Sequence, residues 1–363
     1  MIRVIDLFAG CGGFSTGFIK AGGYEIVTAV EYDKQIAKSY KHNHADTQVI
    51  ADDIKNVDND EVFSRHCADI IIGGPPCQGF SMAGARIRKN AFLDDPRNYL
   101  FKHYFNIVKI VEPQVFVMEN VKGISTLQKG AILNEIIRMF EDPDNFQDGA
   151  YEVQYRVLKA REFGIPQDRE RMIIVGTKVG VDIDNLFAVT REEISRTIPS
   201  YFTDTTVWDA ISNLPNPSVD GVVQTSPETE YQKFLADSAK TFNHIASNHK
   251  FSILKRMEKV KQGENFTSLG ENINSIHSGS YGRLDPSKSA PTITTRFDTP
   301  SGGRFTHPYQ DRTLTPREAA RIQSFPDSFE FIGTKSSVCK QIGNAVPPKL
   351  AHFIAVALRS IIK

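Results

Sequence analysis

The sequence predicts an α/β fold with a doubly wound, mostly parallel sheet that carries an antiparallel hairpin at its edge, together with a smaller irregular domain. In the first half of the chain, short β-branched apolar runs alternate with segments of helical periodicity. That alternation is typical of a parallel sheet covered by helices on both faces. From about residue 191 to 329 the chain is instead rich in Ser, Thr, Asn, Pro and Gly and has few periodic segments.

The first half predicts five strands and four helices. The strands are expected at residues 2–7, 24–31, 47–50, 68–72 and 115–118, and the helices at 14–21, 36–42, 99–111 and 132–142. Two further apolar runs, at 151–159 and 171–178, are joined by a turn-rich stretch without a helix. A hairpin on the edge of the sheet is the simplest arrangement for these two runs.

The second half predicts three helices. One, at 251–262, has apolar residues at helical spacing, and a second begins at the capping box Thr315-Pro316-Arg317-Glu318 and runs to about residue 324. The last, at about 348–361, has an apolar face that the first domain can cover. We therefore expect one domain of residues 1–190 completed by 330–363, and a second of residues 191–329.

Composition limits the class of protein. The 363 residues are 40% hydrophobic and 24% charged, which excludes a mainly disordered chain. No apolar run approaches the roughly 18 to 20 residues that a membrane span needs, and the N-terminus lacks the organisation of a signal peptide. The expected location is therefore the cytoplasm, with no membrane partner.

Charge is balanced overall but segregated in the second domain. Basic and acidic side chains number 43 each, so the net charge gives no general case for nucleic acid. Between residues 204 and 237 six acidic side chains stand against one lysine, whereas between 240 and 263 six basic side chains stand against one glutamate. A looser basic set follows: Arg283, Lys288, Arg296, Arg304 and Arg312. Such runs most often form a solvated face.

The cysteines, at positions 11, 67, 77 and 339, include no C-x-x-C pair. Neither a zinc knuckle nor a disulfide framework is therefore predicted, and no metal site is expected. At least one cysteine is free to do chemistry.

The segment DLFAGCGGFSTGF, which follows the first strand at residues 6–18, predicts a ligand-binding loop. Its glycines allow a tight turn in which the backbone approaches a ligand, and the next helix presents its N-terminus. The dinucleotide fingerprint G-x-G-x-x-G is incomplete, because Ser15 stands where the third glycine belongs. This departure weakens the case for NAD.

Acidic residues follow the second and third strands. Glu31 stands 21 residues after Gly10, where an acid binds ribose hydroxyls in nucleotide folds. The pair Asp52-Asp53 places a further acid on the same edge, suited to an adenine amino group. Together with the glycine loop, these acids predict a cofactor that contains adenosine.

The fourth strand runs into GGPPCQGFS, at residues 73–81, and predicts a nucleophile. Paired glycines and prolines restrict the backbone, and Cys77 follows at the carboxyl edge of the sheet, where α/β folds place their ligands. Most buried cysteines are inert packing, and that interpretation is favoured for Cys67 and Cys339. Cys77, beside the cofactor loop, is instead a candidate nucleophile.

The fifth strand ends in VFVMENV, at residues 115–121, and brings Glu119 to the same edge. Four apolar residues precede this acid, and partial desolvation favours its protonated form, which suits a proton donor. In the hairpin, Gln167, Arg169 and Arg171 alternate along a predicted strand and are expected on one face. Two arginines beside a cysteine and a glutamate can orient the acid, hold a phosphate, or do both.

These segments resemble the DNA cytosine-C5 methyltransferases of bacterial restriction-modification systems, over nearly the whole chain. DLFAGCGGF resembles the family's cofactor loop, PPCQGFS its nucleophile loop, MENV its acid motif and QDRER its arginine motif. TLTPREAARIQSFPDSF and QIGNAVPPKLA resemble its two late motifs, in the family's order. The implied fold is the Rossmann-like, S-adenosylmethionine-dependent methyltransferase fold. The first domain would be catalytic and cofactor-binding, and residues 191–329 would form the target-recognition domain and hinge.

The resemblance implies site residues and partners. The catalytic residues would be Cys77, Glu119, Arg169 and Arg171, and Gln78, Ser81 and Gln167 would bind substrate. S-adenosylmethionine would contact Phe8, Gly10, Gly12, Glu31, Tyr32, Asp53, Ile54, Pro76, Leu100 and Asn344. The implied partner is double-stranded DNA, with a cognate restriction endonuclease acting separately and the methyltransferase itself a monomer. Tyr32 stands where some members have tryptophan, and Asp52 duplicates the acid after the third strand, so either aspartate can meet the adenine.

The implied chemistry needs both a thiolate and an acid, because carbon 5 of cytosine is too weak a nucleophile to take a methyl group unaided. Addition of Cys77 to carbon 6, while Glu119 protonates or hydrogen-bonds N3, raises the electron density at carbon 5. Positive charge from Arg169 or Arg171 would favour the thiolate, and Arg169 is the one expected also to hold the base or Glu119. The target base must be flipped out of the duplex, and residues 79–98 are expected to close over it. The basic side chains of 240–263 and 283–312 are expected to face the DNA.

Two alternatives are open. A tRNA cytosine-C5 methyltransferase can share every catalytic motif, although the stretch of about 120 residues between the arginine motif and the late motifs exceeds what a compact tRNA enzyme needs. A catalytically dead DNA-binding regulator of the same fold is disfavoured because Cys77, Glu119, Arg169 and Arg171 are all present.

Overall fold

The computed structural model describes residues 1–76, 99–270 and 279–362. Over these ranges the chain divides into two compact units. The first consists of Met1–Leu158, Glu170–Glu193 and Ala351–Lys363, and the second of Lys159–Arg169 and Ile194–Leu350. No helix in these ranges is both long enough and apolar enough to span a bilayer.

The units differ from the expected domain limits in three segments. Residues 159–169 and 330–350 belong to the second unit, although the sequence placed both in the first domain, and residues 191–193 belong to the first unit instead of the second. Within the second unit, Arg169 donates a hydrogen bond to the Gly343 carbonyl at 2.9 Å, and Tyr201 donates to the Lys349 carbonyl. Long-range bonds of this kind leave no trace in local periodicity, so the sequence could not show where these segments belong.

Strands and helices alternate through the first unit and become short in the second. In the described part of the chain the strands are β1 (Ile2–Leu7), β2 (Tyr24–Val30), β3 (Gln48–Ile50), β4 (Ile70–Gly73), β5 (Val115–Val121), β6 (Glu152–Lys159), β7 (Gln167–Asp168), β8 (Glu170–Thr177), β9 (Val223–Gln224), β10 (Lys240–Thr241) and β11 (Ala290–Pro291). The helices described are α1 (Gly13–Ala21), α2 (Lys34–Asn43), α3 (Tyr99–Val111), α4 (Ala131–Glu141), α5 (Ile183–Thr197), α6 (Val207–Ile211), α7 (Glu230–Leu235), α8 (Phe251–Lys259), α9 (Pro316–Ile322), α10 (Lys335–Asn344) and α11 (Pro348–Arg359).

Seven of the described strands form one sheet, in the order β3-β2-β1-β4-β5-β8-β6. Strands β1 to β5 pair in parallel, and β8 pairs antiparallel with β5. The predicted doubly wound, mostly parallel sheet with an antiparallel edge is therefore confirmed. The strand order reverses between β1 and β4, and folds of this class bind ligands at the carboxyl ends of the strands that flank such a point.

Burial on both faces explains why the apolar runs form strands. Ile70, Ile71 and Ile72 of β4 are all fully buried, as expected for a central parallel strand. On one face, Tyr104 of α3 and Phe116 of β5 belong to the same core cluster. Each large apolar side chain buried in this way stabilises the fold by about 1.5 to 3 kcal/mol.

The last helix, α11, covers part of the first unit. Tyr24 Oη donates a hydrogen bond to the Ala355 carbonyl at 2.6 Å, and Arg359 Nη1 donates to the Ala21 carbonyl at 2.9 Å. These bonds join α11 to β2 and to the end of α1. The apolar face of the helix is buried at the same time, from Leu350 to Leu358.

The second unit is held by buried arginines more than by regular structure. Arg317 of α9 donates to the carbonyls of Phe242, Pro326 and Phe329, and Arg321 forms an ion pair with Asp327 at 2.8 Å. Such side chains satisfy loop carbonyls that have no strand or helix partner. This is why the segment folds compactly with little periodicity.

Several helices were absent from the sequence prediction, namely α5, α6, α7 and α10. Helices α6 and α7 span five and six residues, too few for a hydrophobic period to be recognised. A signal was nevertheless present, because Thr206 and Asp209 form a capping box, as do Thr229 and Gln232. The capping box predicted at Thr315 is confirmed.

Candidate active site

The loop after β1 exposes bare backbone at the switch point. Phe8, Gly10 and Gly12 all have positive φ, at 57°, 56° and 96°. A Cβ at Gly12 would lie 2.4 Å from His44 Nε2, so this position also has no room for a side chain. A Cβ at Gly10 would have no atom within 4 Å, so open space lies beside its backbone.

Two backbone amides hold Glu31, which directly follows β2. Gly10 N donates to Glu31 Oε2 at 2.9 Å, and Asp33 N donates to Oε1 at 2.8 Å. Burial raises the pKa of the Glu31 carboxyl, and the two hydrogen bonds act in the opposite direction. Each carboxylate oxygen has a further lone pair, so this fixed acid beside an open glycine fits the ribose of an adenosine-containing cofactor.

The two aspartates after β3 have different local roles. Asp52 Oδ1 accepts hydrogen bonds from Asp53 N at 2.7 Å and from Asn56 Nδ2 at 3.0 Å, and these bonds lower the pKa of the exposed Asp52 carboxyl. Asp53 caps the short 3-10 turn Ile54–Asn56 and pairs with Lys55 at 3.1 Å. Both carboxylates thus lie at the edge where the sequence predicts an adenine contact.

A buried carboxyl lies under the glycine loop. Ser15 Oγ donates to Asp6 Oδ2 at 2.5 Å and lies 2.6 Å from Tyr40 Oη. Burial raises the pKa of Asp6 to about 7, against the hydrogen bond from Ser15, which lowers it. Sequence reasoning assigned Asp6 no role. An acidic residue near the carboxyl end of β1, where the only other charged residue of the strand is Arg3 near its start, was a readable signal.

We expect Asp6→Asn to stabilise the protein most above neutral pH. The pKa of Asp6 is about 7 when folded and about 3.9 when unfolded, so the unfolded chain loses this proton first as pH rises. The parent should therefore lose stability relative to the variant by roughly 1 kcal/mol per pH unit as the pH rises towards 7, and the difference should level off above pH 7.

Urea unfolding of both proteins at pH 5, 6, 7 and 8 measures this difference. Asp52→Asn, on the exposed turn after β3, is the matched control and should show no such increase. A difference between Asp6→Asn and the parent that is the same at every pH would contradict the expectation.

Glycines at the end of β4 allow the chain to pass close to β5. A Cβ at Gly73 would lie 2.5 Å from the Leu7 carbonyl oxygen, and one at Gly74 would lie 3.1 Å from Glu119 Oε2. Asn120 Nδ2 donates to the Pro75 carbonyl at 3.1 Å. The segment that leads into the predicted nucleophile therefore runs beside the predicted acid.

An ion pair orients Glu119. Arg171 Nε lies 2.6 Å from Glu119 Oε1, and the two side chains are only 15% and 13% exposed. Glu119 is opposite Ile173 in the antiparallel β5–β8 pair, so Arg171, two residues along β8, is its diagonal neighbour on the same face. The partner of Glu119 is therefore Arg171. The sequence had favoured Arg169 for this contact, and that expectation is wrong.

Arg169 and Gln167 lie in the interior of the second unit. Arg169 is 1% exposed and donates to the carbonyls of Ile293, Gly343 and Ala345. Gln167 is fully buried, accepts from Ile293 N at 3.2 Å and donates to the Ile322 carbonyl at 3.2 Å. The expected common face with Arg171 is wrong because β7 ends at Asp168 and β8 begins at Glu170. Gln167 is therefore internal in this structure, and its role in substrate binding stays a prediction.

The predicted nucleophile Cys77, the predicted substrate contacts Gln78 and Ser81, and the expected closing loop at 79–98 lie outside the described residues. The other cysteines are poor nucleophiles or lie elsewhere. Burial raises the pKa of the Cys11 thiol and raises that of Cys339 to about 12. Cys67 precedes β4, at the end of that strand opposite to Gly74.

The predicted cofactor residues of the first unit all follow its parallel strands or begin α3. Tyr32, directly after β2, is 73% exposed. Phe8 and Leu100 are half-buried against the core. Asn344 instead lies in the second unit at the end of α10, exposed between the Gly343 and Ala345 carbonyls that Arg169 binds.

Two arginines that were expected to face DNA are structural. Arg283 is 6% exposed and donates to four carbonyls and to Asp311. Arg312 forms two bonds to Glu318, at 2.7 and 2.8 Å. Burial raises the pKa of Glu318, but Arg312 and the nearby histidines lower it to about 2. Lys288 and Arg296 are exposed members of the same set.

Comparison with known proteins places this geometry in a family. Residues 2–360 match the family described as C-5 cytosine-specific DNA methylase. The chain is 36% identical to the Type II methyltransferase M1.HphI of Haemophilus parahaemolyticus over 98% of this chain and 86% of that protein. It is 35% identical to M.DdeI of Desulfomicrobium norvegicum, with 98% and 88% covered.

A solved structure agrees with the fold. A putative DNA modification methyltransferase encoded within a prophage of E. coli superposes with a TM-score of 0.76 at 26% identity, covering 99% of both chains. On the match over almost its whole length, the chain belongs to the C-5 cytosine-specific DNA methylase family, and its reaction is the methylation of carbon 5 of cytosine in DNA.

Proposed function

We propose that this protein is the modification enzyme of a Type II restriction-modification system, and that it methylates one cytosine of a specific duplex sequence through a covalent adduct with Cys77. The observation that carries the proposal is the Arg171–Glu119 ion pair beside the Gly74 backbone. It places an oriented acid next to the segment that leads directly to Cys77.

S-adenosylmethionine is the proposed cofactor, and it would supply an electrophilic methyl group on a sulfonium sulfur. Glu31, held by two amides, would accept hydrogen bonds from the ribose hydroxyls. Asp53 or Asp52 would accept a hydrogen bond from the adenine amino group. The exposed ring of Tyr32 would contact the adenine face. Gly10 would let the ligand approach the backbone where no side chain intervenes.

Elimination among the cysteines supports Cys77 as the nucleophile. Burial disfavours the thiolate of Cys11 and of Cys339, and Cys67 lies at the other end of β4. Cys77 follows Pro75 by two residues, and consecutive Cα atoms are about 3.8 Å apart. The Pro75 carbonyl is anchored on β5, next to Glu119.

The residues of this chain then have defined tasks in the reaction. The Cys77 thiolate adds to carbon 6 of the flipped cytosine, and Glu119 gives a proton or a hydrogen bond to N3. The π electrons of the C5=C6 double bond move towards carbon 5, which becomes nucleophilic. Arg171 holds the Glu119 carboxyl in one orientation through a charge-assisted hydrogen bond. After the methyl group is in place, a base takes the C5 proton, the C6–sulfur bond breaks to release the Cys77 thiolate, and any proton placed on N3 returns to Glu119, which restores the aromatic ring.

Residues 191–329 are proposed to form the target-recognition domain and to read the target sequence. The exposed lysines of α8 and the exposed Arg296 offer charge for phosphate contacts, so DNA binding should weaken as salt increases. The names of the two relatives above support a restriction-modification setting. We further propose that the enzyme is a cytoplasmic monomer and that it acts separately from its endonuclease. The family match to DNA methylases does not favour the tRNA alternative.

Transfer of label to DNA tests the proposal. The protein is incubated with tritiated S-adenosylmethionine and either unmethylated duplex DNA or tRNA. We expect label only in the duplex, recovered as 5-methylcytosine after digestion. Duplex that was first treated with the protein and unlabelled cofactor is the control and should take up no further label. Label in tRNA, or in another base, would overturn the proposed substrate.

A further inference from the structure

The ladder of hydrogen bonds between β4 and β5 ends just before two consecutive prolines. The register between β4 and β5 ends with Gly73 opposite Met118. Pro75 and Pro76 follow, and a proline has no backbone N–H to donate. Their carbonyl oxygens can still accept hydrogen bonds, so a hydrogen bond between either proline and β5 needs a donor on β5.

Asn120 supplies that donor. Its side chain is 6% exposed, and its Nδ2 donates to the Pro75 carbonyl at 3.1 Å. The Oδ1 atom accepts from Val121 N at 2.8 Å. Because an N–H must face an acceptor, this second bond identifies which end of the amide is oxygen and leaves the NH₂ group toward Pro75. Both ends of the side chain are therefore fixed.

Two consecutive residues of β5 hold two consecutive residues after β4. The Glu119 carboxyl packs against Gly74, and the Asn120 amide binds the carbonyl of Pro75. We propose that Asn120 is a positioning residue for the methyl transfer: it replaces the missing ladder bond and fixes the backbone that leads into the nucleophile relative to Glu119. This inference rests on the proposed function, in which Cys77 is the nucleophile.

Asn120→Asp tests the inference, because it keeps the size of the side chain and its bond to Val121 N but turns an oxygen toward the Pro75 carbonyl. We expect covalent trapping on a duplex containing 5-fluorocytosine to be about 10- to 100-fold slower than in the parent, the effect of losing one buried hydrogen bond and adding a repulsion. The kcat for methylation should fall similarly, while KM for DNA and cofactor affinity stay near those of the parent.

Asn120→Ala is the second variant, and it leaves the carbonyl unbound without adding a charge. It should slow trapping less than Asn120→Asp, and it keeps the test available if the aspartate variant does not fold. The matched control is Asn145→Asp. Asn145 is half-buried in the same unit, and its Nδ2 donates to the Met139 carbonyl at 3.0 Å, so the control loses the same kind of bond away from the site.

Each outcome decides between distinct conclusions. Slower trapping in both Asn120 variants with an unaffected Asn145→Asp supports the positioning role. Trapping at the parent rate in both Asn120 variants, with the adduct still mapped to Cys77, overturns the inference and leaves the proposed function intact. Equal slowing in the Asn145 control also overturns it, because a general loss of stability would then explain the effect. An adduct on another residue of the parent would instead refute the proposed function.

Discussion

The Cys77→Ser variant is expected to lose methyl transfer to duplex DNA by more than about 10⁴-fold while it retains cofactor and DNA binding. A thiol with an ordinary pKa of about 8.5 is a few per cent thiolate near neutral pH, and thiolate is intrinsically a strong nucleophile. A serine hydroxyl has no comparable ionised fraction, so addition to carbon 6 of cytosine would lose its driving step. Single-turnover transfer of labelled methyl groups at saturating cofactor measures the loss.

Cys67→Ser is the matched control for this experiment and should methylate DNA at the parent rate. Cys67 is half-buried and precedes β4, whereas Cys77 follows that strand. A duplex containing 5-fluorocytosine should also trap the parent protein at Cys77, because the fluorine cannot leave as the proton does. Substantial turnover by Cys77→Ser, or an adduct mapped to Cys67, would contradict the covalent mechanism.

The sheet was predictable because its information is local. Strand β1 and helix α3 begin and end at the residues that the sequence predicts, because strands buried between two layers of helices are largely apolar. The second unit was not predictable in the same way. Its compactness depends on side chains such as Arg317 and Arg321, whose carbonyl and carboxylate partners are brought together only by the fold.

The candidate site shows the same division. The position of Glu119 at the carboxyl end of β5 followed from strand length alone. Its partner did not, because the break between β7 and β8 falls at Arg169 itself, and Arg169 and Arg171 belong to different units. Asp6 and Asn120 depend on neighbouring segments distant in sequence, Ser15 and Pro75, and no local pattern reports such contacts.

Replacing Glu119 by glutamine is expected to lower kcat by about 10²- to 10⁴-fold, the usual contribution of a positioned proton donor. Arg171→Ala should lower kcat by a comparable amount, because it leaves a mostly buried carboxylate without its counter-charge and without the bond that orients it. The two residues act as one unit. The double variant should therefore be little worse than Glu119→Gln alone, far from the product of the two single losses.

A second ion pair close in sequence provides a matched control for this cycle. Lys122, directly after β5, and Glu170 of β8 lie 2.9 Å apart, and their side chains are 56% and 35% exposed. An exposed pair contributes about 0 to 1 kcal/mol, so Lys122→Ala should keep kcat within about threefold of the parent. If the losses in Glu119→Gln and Arg171→Ala multiplied in the double variant, Arg171 would act independently of the acid, on the substrate itself. If Lys122→Ala were as slow as Arg171→Ala, loss of any charge on this edge would explain both, and the orientation of Glu119 would have no special part in the reaction.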